Sequence, residues 1–278
     1  MKSINLALLL VVLLILFAGW FFYARLDDFF FPPTSSVQKS VGQPGPSEEE
    51  DRSVRLPIPP HHPVPPVSAS SVTPPQANAL PLPATLDQAD AYLNVRLPQL
   101  IADRDLLALL NLNHFVQKLV LFIDHLPEKS LPRLHLPLIP PPPGFITSGS
   151  GEQGVIGKRN AARYTPYVKL VEAIPDAHLL QLYRGLYPLL QQAYRETSGP
   201  NAYFNDRFIQ VIDDLLETPE PREPISVVHH VSRFKYADAS FEARSAGQKI
   251  LLRMGVENTR RVKAKLQRLR QELVRKDW

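Results

Sequence analysis

The chain has 278 residues, with 29 prolines against 12 glycines, and this excess of proline indicates that part of it is not globular. The absence of cysteine excludes disulfides, thiolate nucleophiles and cysteine-ligated metal centres. The formal net charge of +4 is too small to indicate nucleic-acid binding, and the basic excess lies in the last 35 residues.

At the N-terminus, residues 4–24 form an apolar run that only Asn5 interrupts. A helix rises about 1.5 Å per residue, so this run is long enough to cross a hydrocarbon core of about 30 Å. A cleaved signal peptide is the alternative, because Lys2 precedes the run. The bulky side chains at residues 20–23 instead favour an uncleaved single-pass anchor over residues 1–25.

The charges beside the apolar run predict its orientation. Lys2 and the α-amine precede it, whereas Arg25 is accompanied by Asp27 and Asp28 after it. The positive-inside rule then keeps the short N-terminus in the cytoplasm and carries the rest of the chain across the membrane.

Residues 26–84 predict a disordered, Pro-rich linker. The stretch from Pro32 to Pro83 contains 14 prolines, too many for helical or strand periodicity. Segments such as LPIPPHHPVPPV cannot bury a face, so we expect them to stay solvated and largely extended. The alternative is that a P-x-x-P-like run within the linker is a docking ligand.

Residues 85–278 have the apolar periodicity of a mainly helical domain, with a second Pro-rich interval near 127–143. The stretch GFITSGSGEQGVIGKR predicts a small β-hairpin, and ISVVHHVSRFKYAD predicts a short extended segment. The fold class is therefore mainly α, with an N-terminal transmembrane helix, a disordered linker and a C-terminal helical domain that includes a small hairpin.

Capping residues and prolines place the helices of the second half of this domain. Thr165 is an N-cap signal, with Pro166 at the first helical position. The next helix carries an apolar stripe and is expected to kink at Pro188. The segment FNDRFIQVIDDLL predicts a helix capped by Asn205, and Gly255 is expected to be the C-cap between two C-terminal helices.

Motifs for catalysis or metal binding are not found in the sequence. The Gly-rich stretch GSGEQGVIGKR has Arg159 where a phosphate-binding loop needs a hydroxyl residue. His229 and His230 point to opposite faces of a strand, and no H-E-x-x-H spacing occurs. We therefore assign no catalytic, cofactor-binding or metal-ligating residue.

A cluster of aromatic and polar residues is the first candidate binding site: Tyr183, Tyr187, Tyr194, Asn205 and Arg207. Aromatic side chains with polar tips suit a groove for a peptide or a glycan. The structural alternative is that Tyr183 and Tyr194 belong to the core with their hydroxyls at its rim, that Asn205 caps a helix and that Arg207 pairs with an acid.

The last predicted helix is strongly basic. Val262, Leu266, Leu269 and Leu273 form a helical stripe, so one face is expected to be buried and the charges to lie on the others. These charges could contact anionic lipid, an acidic envelope polymer or an envelope protein, or they could complement the acidic remainder of the same domain. The candidate partner face consists of Arg260, Arg261, Lys263, Lys265, Arg268 and Arg270.

Three blocks of this domain, LYRGLYPLLQQAYRE, FNDRFIQVIDDLLETPE and SAGQKILLRMGVENTRRVKAKLQRLRQEL, resemble the bacterial family catalogued as domain of unknown function 3014. The resemblance covers roughly residues 84–275. It implies the same layout of anchor, Pro-rich spacer and domain, and it brings no assigned activity, so no catalytic residue is carried over.

Together these features predict a protein of the bacterial inner membrane, anchored through residues 4–24, with a periplasmic domain that binds or scaffolds. The expected partners are an envelope protein or an acidic cell-wall or lipid component, without nucleic acid and without a cofactor. An enzyme acting on a cell-wall or lipid substrate is the alternative, and it would need a cleft with convergent titratable groups.

Overall fold

The computed structural model describes residues 59–64, 80–131, 136–141, 145, 147–148, 153–222, 224–230 and 233–275. The predicted anchor and most of the predicted linker lie outside these ranges. Within the ranges, every helix is too short or too polar to span a membrane.

The described part of the chain is mainly helical, as the sequence predicts, and contains one small sheet. The helices are α1 (Leu86–Arg96), α2 (Arg104–Leu107), α3 (Phe115–His125), α4 (Lys158–Ala162), α5 (Thr165–Glu172), α6 (Asp176–Ser198), α7 (Phe204–Leu216), α8 (Ala239–Glu242), α9 (Ala246–Met254) and α10 (Val256–Leu273). The strands are β1 (Thr147–Ser148), β2 (Gln153–Ile156), β3 (Ile225–His230) and β4 (Arg233–Tyr236).

The sheet is antiparallel, with strand order β1-β2-β3-β4. Strands β1 and β2 form the predicted hairpin, in which Thr147 lies opposite Ile156. Strand β2 also pairs with β3, with Val155 opposite Ser226, so the hairpin and the second extended segment join in one sheet. Apolar residues of this sheet form a small cluster with Leu252 of α9, separate from the main core: Ile156, Ile225, Val227 and Tyr236.

Helix α6 lies at the centre of the main core and packs against α3, α7 and α10. Its stripe residues Leu186 and Leu190 are fully buried, as their spacing predicts. The helix continues through Pro188 without interruption from Asp176 to Ser198. Proline removes one backbone hydrogen bond there, and burial of the flanking leucines compensates for that loss.

One predicted helix end is wrong by one position, and another is confirmed. Helix α5 begins at Thr165 itself, with Tyr164 as its N-cap, so Pro166 occupies the second helical position instead of the first. Gly255 is the C-cap of α9, as predicted, and its φ of 83° lies in the left-handed region that favours glycine.

We expect Leu190→Ala to lower the free energy of unfolding by about 2 to 5 kcal/mol, because it leaves a cavity at a fully buried position of α6. The measurement is urea denaturation followed by circular dichroism. Val95→Ala is the matched control, since Val95 is 51% exposed on α1 and its truncation should cost less than about 1 kcal/mol. Equal effects of the two substitutions would contradict the central position of α6.

Candidate functional site

The first turn of α7 is capped by two side chains of α6. The Oε1 atom of Gln191 accepts a hydrogen bond from the Phe204 amide at 2.9 Å. The hydroxyl of Tyr187 donates to the same Oε1 atom at 3.0 Å. Burial raises the pKa of Tyr187 to about 12, although the backbone amide of Asn205 donates a hydrogen bond to its oxygen. Because α6 supplies these caps, the side chain of Asn205 is not needed as a cap and can bind a group outside α7.

The predicted helix cap at Asn205 is therefore wrong. The N-cap of α7 is Tyr203, and Asn205 lies at the second position of the helix. Its Nδ2 atom donates a hydrogen bond to the carbonyl of His62 at 2.8 Å. Asn205 thus holds main chain from the predicted linker, 143 residues away in sequence.

Asp206, the next residue of α7, binds the same stretch of main chain. Its Oδ2 atom accepts from the His61 amide at 2.9 Å, and its Oδ1 atom accepts from the His62 amide at 2.8 Å. The chain bends at these two histidines, so successive amides converge on one carboxylate. Hydrogen bonds to a charged acceptor are stronger than those between neutral groups. Asp206 and Asn205 together form a clamp on two amides and one carbonyl.

Tyr183 orients this clamp from within the core. Its hydroxyl donates to the Oδ1 atom of Asn205 at 2.8 Å, which leaves the Nδ2 atom directed at the carbonyl of His62. The ring of Tyr183 is fully buried and lies 5.7 Å from the ring of Phe208. Burial raises the pKa of Tyr183 well above its usual value, so the hydroxyl stays protonated and remains a donor.

The clamped segment, residues 59–64, belongs to the linker that we expected to be solvated. Instead it lies on the helical domain, and Val64 packs against the main core. Residues 59–63 read PPHHP, and proline carries no amide hydrogen. Within this stretch the amides of His61 and His62 are therefore the full set of main-chain donors, and Asp206 binds both.

The end of the predicted linker also contacts α6. Leu80 packs against the main core, and Leu82 lies over Gly185. A Cβ atom at Gly185 would come within 2.8 Å of the Cδ2 atom of Leu82, so glycine permits this close approach. Leu80 and Leu82 of the predicted linker therefore contribute apolar contacts to the helical domain.

Two of the predicted site residues lie away from the clamp. Arg207 faces α3, where its Nε atom pairs with Asp124 at 2.7 Å and its Nη2 atom donates to the Asp124 carbonyl at 2.6 Å. Tyr194 is buried, with its ring edge-on to that of Phe204 at 5.6 Å. Both arrangements, and the burial of Tyr183 in the main core, are those of the structural alternative. Tyr183, Tyr187 and Asn205 nevertheless lie close together.

An open cavity of about 550 Å³ adjoins the clamp through Tyr187. It lies along the C-terminal half of α6. The guanidinium of Arg195, one of its lining residues, lies 6.0 Å from the ring centroid of Tyr203. Its lining residues are Tyr187, Pro188, Gln191, Gln192, Arg195, Glu196 and Pro200. The cavity thus presents an aromatic ring and two prolines next to the residues that cap α7.

The second candidate surface, on α10, contains one buried lysine. The side chain of Lys265 is 4% exposed, and its Nζ atom donates to the carbonyl of Ile174 at 2.7 Å and pairs with Asp176. Arg268 also pairs with Asp176, at 2.7 Å. Burial acts to raise the pKa of Asp176, but hydrogen bonds from Lys265 and Arg268 outweigh it and hold this pKa below its usual value. Lys265 therefore belongs to the core and not to an exposed face.

The other basic residues of α10 pair with acids on neighbouring elements. Arg260 and Lys263 both contact Glu220, at 2.8 and 3.1 Å, and their hydrogen bonds lower the pKa of that carboxyl. Arg260 is the most exposed of the set, with 66% of its side chain accessible.

Arg261 and Arg270 complete the set of pairs on α10. Arg261 binds Glu172 at 2.5 Å and lowers the pKa of that carboxyl, and Arg270 pairs with Asp213. All six basic residues thus have partners in their own domain, which is the arrangement that the intramolecular alternative predicts. Binding of an external acidic partner by this surface remains a prediction.

A family model described as "Protein of unknown function (DUF3014)" matches residues 115–270, more than half of the chain. The chain belongs to the DUF3014 family. The match to DUF3014 runs from α3 into α10 and includes both candidate surfaces, whereas the clamped residues 59–64 lie outside it. Comparisons with curated proteins and with solved structures found no match.

We expect the amides of His61 and His62 to exchange slowly with solvent, and Asp206→Ala to accelerate their exchange about 10- to 100-fold, because hydrogen bonds to charged groups contribute about 1.5 to 3 kcal/mol. Hydrogen–deuterium exchange mass spectrometry on a peptide spanning residues 59–64 measures this. The three prolines of PPHHP carry no exchangeable amide, so exchange within this stretch reports on His61 and His62. Asp213→Ala, elsewhere on α7, is the control; fast exchange in the wild type would refute the clamp.

We expect Lys265→Glu to lower the free energy of unfolding by about 3 to 5 kcal/mol, because it places a second carboxylate beside Asp176 in a buried setting. Arg260→Glu, on the exposed side of the same helix, should cost about 0 to 1 kcal/mol. Chemical denaturation of both variants checks the difference. Similar costs would mean that burial of Lys265 is unimportant for α10.

Proposed function

We propose that this protein is a binding and scaffolding module of the bacterial cell envelope, held in the inner membrane by residues 4–24, with its helical domain in the periplasm. The apolar run and its flanking charges support the anchor and its orientation. The bacterial setting and the layout of anchor, spacer and domain are what the family resemblance implies.

One observation carries the binding role: Asp206 and Asn205 hold the main chain of residues 59–64 through two amides and one carbonyl. Recognition of main-chain groups by fixed side chains is a means of binding a peptide and requires no reaction. The site that the sequence suggested for a peptide or a glycan is therefore proposed as a peptide site.

The clamp also supports the scaffolding role, because it fixes where the spacer meets the domain. About 36 residues separate Arg25 from His61. As a flexible coil they would reach about 33 Å, and as polyproline helix on the order of 110 Å. Attachment at His61 would therefore hold the domain closer to the membrane than a spacer that is free up to residue 84.

An enzyme acting on a cell-wall or lipid substrate is the alternative function. It would need an acid and a base that converge on a cleft. Among the described residues, the cavity beside the clamp is lined by Glu196, Arg195 and Tyr187 as its ionisable groups, and burial raises the pKa of Tyr187 to about 12. A tyrosine with such a pKa is a poor general base at neutral pH.

The proposed topology predicts that a cysteine in the helical domain can be reached from the periplasm. The natural chain contains no cysteine, so single-cysteine variants have no background. Glu196→Cys, at the rim of the open cavity, should react with a membrane-impermeant maleimide in intact cells whose outer membrane has been permeabilised. Ser3→Cys, before the anchor, should react only after lysis. Labelling of Ser3→Cys alone in intact cells would reverse the orientation, and labelling of neither before lysis would place the domain in the cytoplasm.

A further inference from the structure

We propose that the clamp at α6 and α7 is a receptor for a Pro-flanked segment of a second protein, and that residues 59–64 are a built-in ligand that competes with it. The segment required has two successive residues with amide hydrogens between prolines, as in P-P-x-x-P. This inference rests on the proposed binding function but does not depend on the membrane topology.

The polar contacts of the clamp specify a backbone pattern instead of particular side chains. Asp206 accepts from the amides of His61 and His62, and Asn205 donates to the carbonyl of His62, so neither imidazole takes part in these contacts. Side chains other than histidine would leave these hydrogen bonds intact. A proline at either position would remove a donor and leave one carboxylate oxygen without its partner.

The flanking prolines serve the same pattern in two ways. They add no further amides that would need partners, and they restrict the backbone before binding, so less conformational entropy is lost on docking. A ligand that contains the same two amides without prolines should therefore bind less tightly.

The receptor side is held in place by groups other than the ligand. Gln191 and Tyr187 cap the first turn of α7, and the buried hydroxyl of Tyr183 fixes the amide group of Asn205. These contacts lie within α6 and α7 and need no residue of the linker. A clamp held in this way loses little freedom on binding, so removal of residues 59–64 should leave it ready for another peptide.

The open cavity beside the clamp gives a second protein more surface than residues 59–64 use. It continues from Tyr187 along Pro188 and Pro200, and aromatic and proline surfaces of this kind suit Pro-rich peptides. The built-in segment leaves much of its own surface in solvent, since Pro59, His61 and Pro63 are exposed. A longer ligand that also occupies the cavity can therefore displace it.

Covalent connection favours the built-in ligand over a free peptide of the same sequence. Only 15 residues separate Val64 from Leu80, which packs against the core. A short covalent connection makes binding within one chain intramolecular, with an effective concentration that a free peptide must exceed. A free peptide must therefore compete with residues 59–64 for the clamp in the wild-type protein. We expect it to bind more tightly to a variant in which residues 59–64 no longer occupy the clamp.

The test uses the full chain in detergent micelles and a fluorescent peptide of sequence PIPPHHPVPP, residues 57–66. The double variant His61→Pro/His62→Pro removes both built-in donors and should bind the peptide at least 10-fold more tightly than the wild type by fluorescence anisotropy. Adding Asp206→Ala should weaken binding to this released chain at least 10-fold, whereas adding Asp213→Ala should leave it unchanged. Thermal unfolding of each variant checks that the domain remains folded.

A panel of peptides then tests the pattern on the released chain. PIPPAAPVPP should bind within about 3-fold of the natural peptide, because both amides remain. PIPPPHPVPP lacks one donor and should bind at least 10-fold more weakly. Discrimination that follows the histidine side chains, with PIPPAAPVPP as weak as PIPPPHPVPP, would overturn the proposed ligand class.

The remaining outcomes separate the inference from the function on which it rests. If the folded, released chain binds no peptide, the proposed binding function itself fails. If the peptide binds wild-type and released chains equally well, the binding function stands and the competition is overturned. A wild-type dimer in sedimentation velocity that His61→Pro/His62→Pro abolishes would show residues 59–64 exchanged between two copies, and would likewise overturn the built-in ligand.

Discussion

The burial of α6 is the constraint on which the rest of the described structure depends. Its leucine stripe is enclosed by α3, α7 and α10, and the same helix carries Tyr183, Tyr187 and Gln191. These three side chains project onto the start of α7, where they cap its amides and orient Asn205. The apolar packing that stabilises the domain therefore also positions the polar clamp, because one rigid helix contributes to both.

The basic residues of α10 likewise connect this helix to the elements around it. The helix brings positive side chains to acids on the elements around it, and the exposed pairs contribute little individually. Lys265 differs because its amine is buried between the carbonyl of Ile174 and the carboxylate of Asp176. A buried charge needs such partners to offset its loss of water, so this contact fixes how α10 sits against the start of α6.

Much of the helical fold could be predicted from the sequence, since apolar stripes, prolines and Gly255 are local signals. Lys265 could also have been placed in the core, because it lies three residues after Val262 and four before Leu269 on the same helical face. The contacts of Asp206 could not have been predicted, since an acid in the first turn of a helix is usually explained by the helix dipole. Its partners lie 145 and 144 residues away, and no spacing rule connects them.

The clamp is weak enough for one bound segment to be replaced by another. It consists of three hydrogen bonds, two of them to a carboxylate, and such bonds contribute roughly 0.5 to 3 kcal/mol each. A contact of this size would be transient between separate molecules, but a short connection to the domain makes it effective within one chain. Asp206 and Asn205 lie in the part of the chain that matches the family, whereas residues 59–64 lie outside it, within the predicted linker. In our proposal the helical domain carries the receptor, and residues 59–64 supply a ligand weak enough to be replaced.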